Sequence, residues 1–219
     1  MNWNKQNPYL AKITSKKLLS GKQSNKEVFH YEISLGDSGI IYQPGDSLGI
    51  FPVNNNILVR AIINRLQINP TYIPEGYDLN IYELLEKKFE ILTPTNRLIK
   101  FVNDNINHKE LNYSLDTKNI NILMDFKYGK DVLDFMNLDE SLKFDVLHFL
   151  TLLKPLQHRA YSIASSNLIF NNSVHLTVST QRWQRKTRDY GGVCSTFLSD
   201  SCELGLSLIH ISEPTRQKP

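Results

Sequence analysis

The spacing of apolar positions changes period twice along the 219-residue chain. From Lys26 to Leu35 it runs with a period of two. Val28, His30, Glu32 and Ser34 alternate with Phe29, Tyr31, Ile33 and Leu35, as in a strand with one buried face. Asn7–Ser20 alternates in part, and Gly21 with Ser24 and Asn25 supplies turn chemistry between the two runs. After a turn holding Gly36 and Gly39, the segment Ile40–Pro52 carries Pro44-Gly45. That pair suits a type II turn, because proline presets φ and glycine accepts φ > 0. Short strands punctuated by glycine and proline predict a β-barrel or sandwich.

From Asn55 the period becomes helical. Leu58, Ile62 and Leu66 make one stripe, with Ile63 beside it and Asn55 placed to cap it. Asn80–Leu92 repeats the pattern with Ile81, Leu84, Leu85 and Phe89. Asn96–Ile106 and Lys130–Leu138 predict further short helices, and Ser141–Gln157 a helix ending near Pro155. The period of two returns at His158. In Ser173–Trp183, Val174, Leu176 and Val178 alternate with His175, Thr177 and Ser179. Gly191–Ser201 then predicts a glycine turn opening a helix. The expected fold class is α+β: an antiparallel β-barrel made of residues 7–54 and 155–205, interrupted by a helical subdomain at 55–154. No internal repeat or long low-complexity run is seen.

Composition narrows the class. An apolar fraction of 41% and a charged fraction of 21% are those of a globular protein. No apolar run approaches the ~20 residues that cross a bilayer. No apolar signal core follows Met1–Lys5, so a cytoplasmic location is expected, with no membrane partner. Cys194 and Cys202 make no disulfide framework and are expected to be reduced. A net charge of +3 is too small to argue for nucleic acid. Arg182, Arg185, Lys186 and Arg188 bunch together, either as a solvated hairpin tip or as a site for an anion or acidic partner. No metal ligand set is assigned.

The chemistry concentrates in two short motifs. "RAYSIASS", Arg159–Ser166, places a guanidinium, a flat ring with a polar tip and a hydroxyl within four residues. Those groups suit a phosphate, a ring system and a polar edge; an ordinary strand with one surface arginine is the plainer reading. "GGVCST", Gly191–Thr196, puts two glycines ahead of a helix, where main-chain amides can approach an anion. Between the motifs lies Trp183. One pyrophosphate held by Arg159 and the turn at Gly191–Cys194, with Trp183 on a purine and Tyr161 on a second ring, would use all of these groups together.

These residues resemble a known family. "RAYSIASS" resembles the R-x-Y-S motif of the FAD-binding domain of the ferredoxin–NADP reductase superfamily, and "GGVCSTFL" resembles its pyrophosphate turn. "YQPGDSLGIFPVNN" is similar to a signature of the diflavin reductases, which carry a helical connecting domain inside the FAD barrel. "EISLGDSGIIYQPGDSLGI", "LKPLQHRAYSIASS" and "VHLTVSTQRW" are most similar to the sulfite reductase branch. The resemblance implies an NADPH-dependent flavin oxidoreductase. Its electrons would pass from NADPH through FAD and FMN to a sulfite reductase hemoprotein or similar acceptor, in cysteine biosynthesis. It also implies residue roles. Arg159 and the neighbouring Ala160 would meet the FAD pyrophosphate. Tyr161 would pack on the isoalloxazine, and Ser162 would hydrogen-bond near the flavin nitrogen that accepts hydride, as the catalytic residue. Thr177, Val178 and Ser179 would line the flavin, with Ser179 where many relatives have glycine. Trp183 would take the adenine-stacking place. Gly191, Gly192, Val193 and Cys194 would supply the pyrophosphate turn, and Thr93 would reach the cofactor from the connecting domain.

Neither a nicotinamide-binding domain nor an FMN-binding flavodoxin domain is recognised, so the chain is expected to be one section of an electron relay, relying on a flavodoxin-like domain or protein. "LSLIHISEPTR" resembles the translation of a sequencing adapter. Residues 206–219 are therefore expected to be an artefactual tail, poorly packed against the domain. Two other functions are weighed. Cys194 at a helix N-terminus could be a low-pKa thiol nucleophile, with His158 or His175 as its base. A noncatalytic barrel could bind nucleotides or oligonucleotides through Trp183 and the basic bunch.

Overall fold

The computed structural model describes residues 3–4, 6–116, 120–204 and 208–216. The chain divides into two compact units: residues 1–53 with 157–219, and residues 54–156.

The first unit is built on a six-stranded antiparallel sheet. Its strands are β1 (Tyr9–Leu18), β2 (Glu27–Ser34), β3 (Asp46–Phe51), β6 (Arg159–Ser162), β7 (Ser173–Thr180) and β10 (Leu208–Arg216), in the order β6-β3-β10-β1-β2-β7. The outermost strands of that order meet through a bridge between Ile163 and Leu176, and Ala164 N–H donates to the His175 carbonyl at 2.8 Å. Period-two patterning places the core as the sequence predicts. Tyr31 and Ile33 of β2, Leu48 and Ile50 of β3 and Val174 and Leu176 of β7 are all buried. The Pro44-Gly45 turn forms as expected: Gly45 takes φ 93°, and Asp46 N–H returns to the Gln43 carbonyl at 3.1 Å. A separate hairpin, β8 (Arg182–Arg185) and β9 (Arg188–Gly191), leads to helix α8 (Val193–Thr196) and a π-helical turn, Phe197–Ser201. The strand expected over 173–183 thus breaks at Gln181 into two strands of different sheets.

The expectation of a loose tail is corrected. β10 lies inside the sheet, paired antiparallel with β1 (Tyr9↔Ile211) on one side and with β3 (Ile211↔Ile50) on the other. Ile211 is fully buried. β10 fills the gap between β1 and β3, whose ladder groups it satisfies from both sides. Residues 205–207 and 217–219 fall outside the described residues.

The second unit is mostly helical: α1 (Asn56–Leu66), α2 (Ile81–Lys87), α3 (Asn96–Asn105), α4 (Lys109–Asp116), α5 (Ile120–Lys127), α6 (Val132–Met136) and α7 (Val146–Leu152), with a two-stranded pairing of β4 (Phe89–Glu90) and β5 (Lys154–Pro155). Val59, Ile62, Ile63, Leu84, Leu85, Phe135 and Phe149 make its core. Asn55 caps α1, accepting from Ile57 and Leu58 N–H, and Asn80 with Glu83 forms a capping box on α2. Two predicted helices are shorter than their patterns. α2 stops at Lys87 because Phe89 and Glu90 pair with β5, and α7 starts at Val146 because Asp145 caps it. α4 and α5 lack a clean apolar stripe and were not foreseen.

Candidate flavin site

β6 lies beside β3 in the register Ile50↔Arg159, Leu48↔Tyr161. Strand alternation therefore divides the R-x-Y-S motif between two faces. Arg159 and Tyr161 share the face of Leu48 and Ile50 and are half-buried, whereas Ala160 and Ser162 are exposed on the other. Tyr161 packs against the core of its unit, which includes Cys194 of α8. Burial raises the Tyr161 pKa most, with Cys194 adding to the rise and the Arg159 charge opposing it. The same guanidinium charge favours the Cys194 thiolate, so Arg159 lies on the side of β6 that faces the opening of α8. Arg159 Nη1 also donates to the Gln157 carbonyl at 2.9 Å. The small residues after the motif have structural work. Ser165 Oγ accepts from His175 N–H at 3.0 Å and shares a 2.7 Å hydrogen bond with the buried Tyr42 hydroxyl.

The glycine turn is demanded by close packing. A Cβ on Gly191 would overlap Thr196 Cγ2, and one on Gly192 would sit 2.9 Å from Ser195 Oγ and 3.1 Å from Gln181 Cβ. The Gly192 carbonyl accepts from Thr196 N–H at 2.9 Å, Thr196 Oγ1 at 2.9 Å and Ser195 Oγ at 3.2 Å. Gly192 N–H donates to the Gln181 carbonyl at 2.9 Å, and Gln181 N–H donates to Ser195 Oγ at 3.1 Å. The turn is thus held from both sides, while α8 begins at Gly192 without a side-chain cap. An uncapped amide end and a nearby guanidinium fit a pyrophosphate.

Trp183 projects from the hairpin opposite Tyr190, and the two rings stack with centroids 5.6 Å apart and planes 8° apart. The Arg188 guanidinium carbon lies 4.7 Å from the Tyr190 centroid. Tyr190 was missed in the sequence; its place opposite Trp183 follows once the hairpin is folded about Lys186, which takes φ 52°. Arg185, Lys186 and Arg188 lie at the tip of this hairpin, whereas Arg182 pairs with Gly191 at its base and is ion-paired with Glu27 and Asp200. On β7, Thr177 is exposed and Ser179 half-buried on one face, while Val178 points into the core and pairs with Phe29 of β2. Thr93 belongs to the helical unit, where it is exposed between β4 and α3.

The low-pKa thiol expected at Cys194 is overturned. Cys194 is 2% exposed, and burial pushes its pKa up to about 12 against the opposing influence of Tyr161 and Arg159. A protonated, buried thiol is not a nucleophile.

Residues 1–197 match the family model described as FAD binding domain, and the chain belongs to that family, with FAD as its cofactor. Among curated proteins it is similar to the sulfite reductase [NADPH] flavoprotein alpha-component of Mannheimia succiniciproducens, 32% identical over 207 residues, covering 93% of this chain and 34% of that protein. It is similar also to those of Bacillus subtilis (30% identical, 94% and 35%) and Zymomonas mobilis (32% identical, 90% and 32%). The chain therefore spans about a third of the length of these relatives. A solved ferredoxin-NADP+ reductase from Plasmodium falciparum aligns with a TM-score of 0.44 at 15% identity, over 99% of this chain and 44% of that one. No described helix is long and apolar enough to cross a membrane.

Proposed function

We propose that the chain is the FAD-holding section of an NADPH-dependent flavoprotein reductase of the sulfite reductase type, working in the cytoplasm. The observation that carries this is that Tyr161 of the strand motif and Cys194 of the glycine turn meet in one core, which brings the two motifs to one place. In this reading the six-stranded sheet is the antiparallel FAD barrel, with its outer strands bridged at Ile163 and Leu176. The helical unit is the connecting subdomain.

Bound FAD supplies the redox chemistry, taking an electron pair from a nicotinamide and passing electrons on singly. The chain's own residues bind and orient it. Arg159 neutralises pyrophosphate charge, while Gly191, Gly192, Val193 and Cys194 offer main-chain amides. Tyr161 gives a ring against the isoalloxazine, Ser162 a hydroxyl at its reactive edge, and Trp183 a stacking surface for adenine. Thr177, Val178 and Ser179 line the flavin, and Ala160 meets the cofactor beside Arg159. NADPH, an FMN-bearing flavodoxin-like domain or protein and a sulfite reductase hemoprotein, or a similar acceptor, complete the relay from outside this chain.

The purified chain should show oxidised flavin absorption, either as isolated or after incubation with FAD, and acid release should yield FAD. A colourless protein that takes up no FAD from solution, or one that retains FMN in its place, would overturn the reading.

A further inference from the structure

We propose that His30, Glu32 and His175 form a binding site for a divalent transition-metal ion of the zinc class, on the face of β2 and β7 turned away from the core. Glu32 pairs directly with His175 across the two strands, and His30 sits two residues along β2 on the same face. One ligand atom from each residue lies within 4.8 Å of the other two. His30 Nε2 is 3.9 Å from Glu32 Oε1, and the two imidazole rings meet edge-on with centroids 5.1 Å apart. Ligands of a tetrahedral zinc ion stand ~2.0–2.2 Å from the metal. Rotation of His30 and Glu32, whose side chains are 27% and 40% exposed, can bring the three donors in to that radius.

The surroundings suit a metal better than an ordinary polar patch. His175 is 8% exposed and anchored on several sides. Its ring packs 4.2 Å from Phe170 between centroids. Ser173 Oγ lies 3.4 Å from its Nε2, and its N–H is held by Ser165 Oγ. A ligating imidazole with an orienting hydroxyl and an apolar wall is the usual outer-sphere arrangement. Two imidazoles and one carboxylate select zinc, cobalt or nickel over calcium and magnesium, which demand more oxygen donors. Three protein donors leave a fourth position for water. The exposed edges of His30 and Glu32 give the ion a path in from solvent.

The test is a titration of the chelator-treated 219-residue chain with Co2+, followed by visible d–d absorption and then by Zn2+ displacement. One ion per chain is expected, without a thiolate charge-transfer band. His30→Ala and His175→Ala should lose saturable binding, Glu32→Gln should weaken it more than tenfold, and Ser173→Ala should weaken it about tenfold. Zn2+ should raise the melting temperature of the wild type and not that of His30→Ala. If His175→Ala fails to fold, the more exposed His30→Ala and Glu32→Gln decide. Absence of saturable binding, unchanged binding in those two variants, or a thiolate band placing the ion on Cys194 or Cys202 would each overturn the proposal.

Discussion

Tyr161 of β6 packs into the core that buries the Cys194 thiol, bringing a strand residue and a helix residue together in a way that neither motif reveals alone. Desolvation holds the proton on this thiol up to about 12, and on the nearby Cys202 thiol up to about 11, against a reference of 9.0. A folded-state pKa raised above the unfolded value stabilises the fold fully below the unfolded pKa. That contribution is lost as pH rises through the folded pKa. Resistance to urea should therefore be flat in this respect up to about pH 9 and fall between about 9 and 12. Iodoacetamide at pH 8 should leave both cysteines unmodified until the protein is denatured. Fast native-state alkylation of Cys194 would show that the thiol is neither buried nor protonated.

Arg159→Ala removes the guanidinium beside α8 while leaving the Tyr161 packing intact. Charge-assisted hydrogen bonds contribute about 1.5–3 kcal/mol, so FAD affinity should fall by roughly tenfold to a hundredfold. The melting temperature of the FAD-free protein should change little, since the side chain is half-buried at a sheet margin. Fluorescence titration with FAD measures the first and a thermal scan the second.

Gly191→Ala should destabilise the domain and weaken FAD binding together, because the new methyl meets the Cγ2 of Thr196. Thr196 cannot simply rotate away: it is β-branched and buried, and its Oγ1 donates to the Gly192 carbonyl. Thr196→Ser deletes Cγ2 and keeps the hydroxyl, so the double variant should recover much of the loss. Equal instability of the single and double variants would locate the clash elsewhere.

Ile211→Ala should cost about 2–5 kcal/mol, the usual range for truncating a fully buried isoleucine. Ile211 stands between Tyr9 of β1 and Ile50 of β3 in the middle of the sheet. Denaturant unfolding of the full chain measures the loss. A variant as stable as wild type would return the segment to the status of an unpacked tail.

Much of the molecule could be read from local pattern. The alternation of β2 and β7 fixed which side chains face the core, because a strand has two faces and a one-residue slip exchanges them. Asn55 and the stripe from Ile62 to Leu66 marked α1, since a cap and a 3.6-residue period are both local. Pro44-Gly45 marked its turn by the φ values those residues accept. The motifs around Arg159 and Gly191 were legible as candidate chemistry, through residue type and order alone.

Partnership across the chain was not legible. Nothing local says that residues 208–216 lie between β1 and β3, or that burial in the core beside Tyr161 keeps the Cys194 thiol protonated. Strand alternation, applied to R-x-Y-S, already separates Arg159 and Tyr161 from Ala160 and Ser162, yet which face meets α8 depends on the sheet order. His30 and Glu32 announce only a polar face of β2. Their meeting with His175 depends on the register of β2 against β7. Amino-acid order determines periodicity, caps and turn geometry because these are decided within a few residues. Sheet order, desolvation and the company a side chain keeps depend on segments far apart in sequence, and only the folded chain sets them.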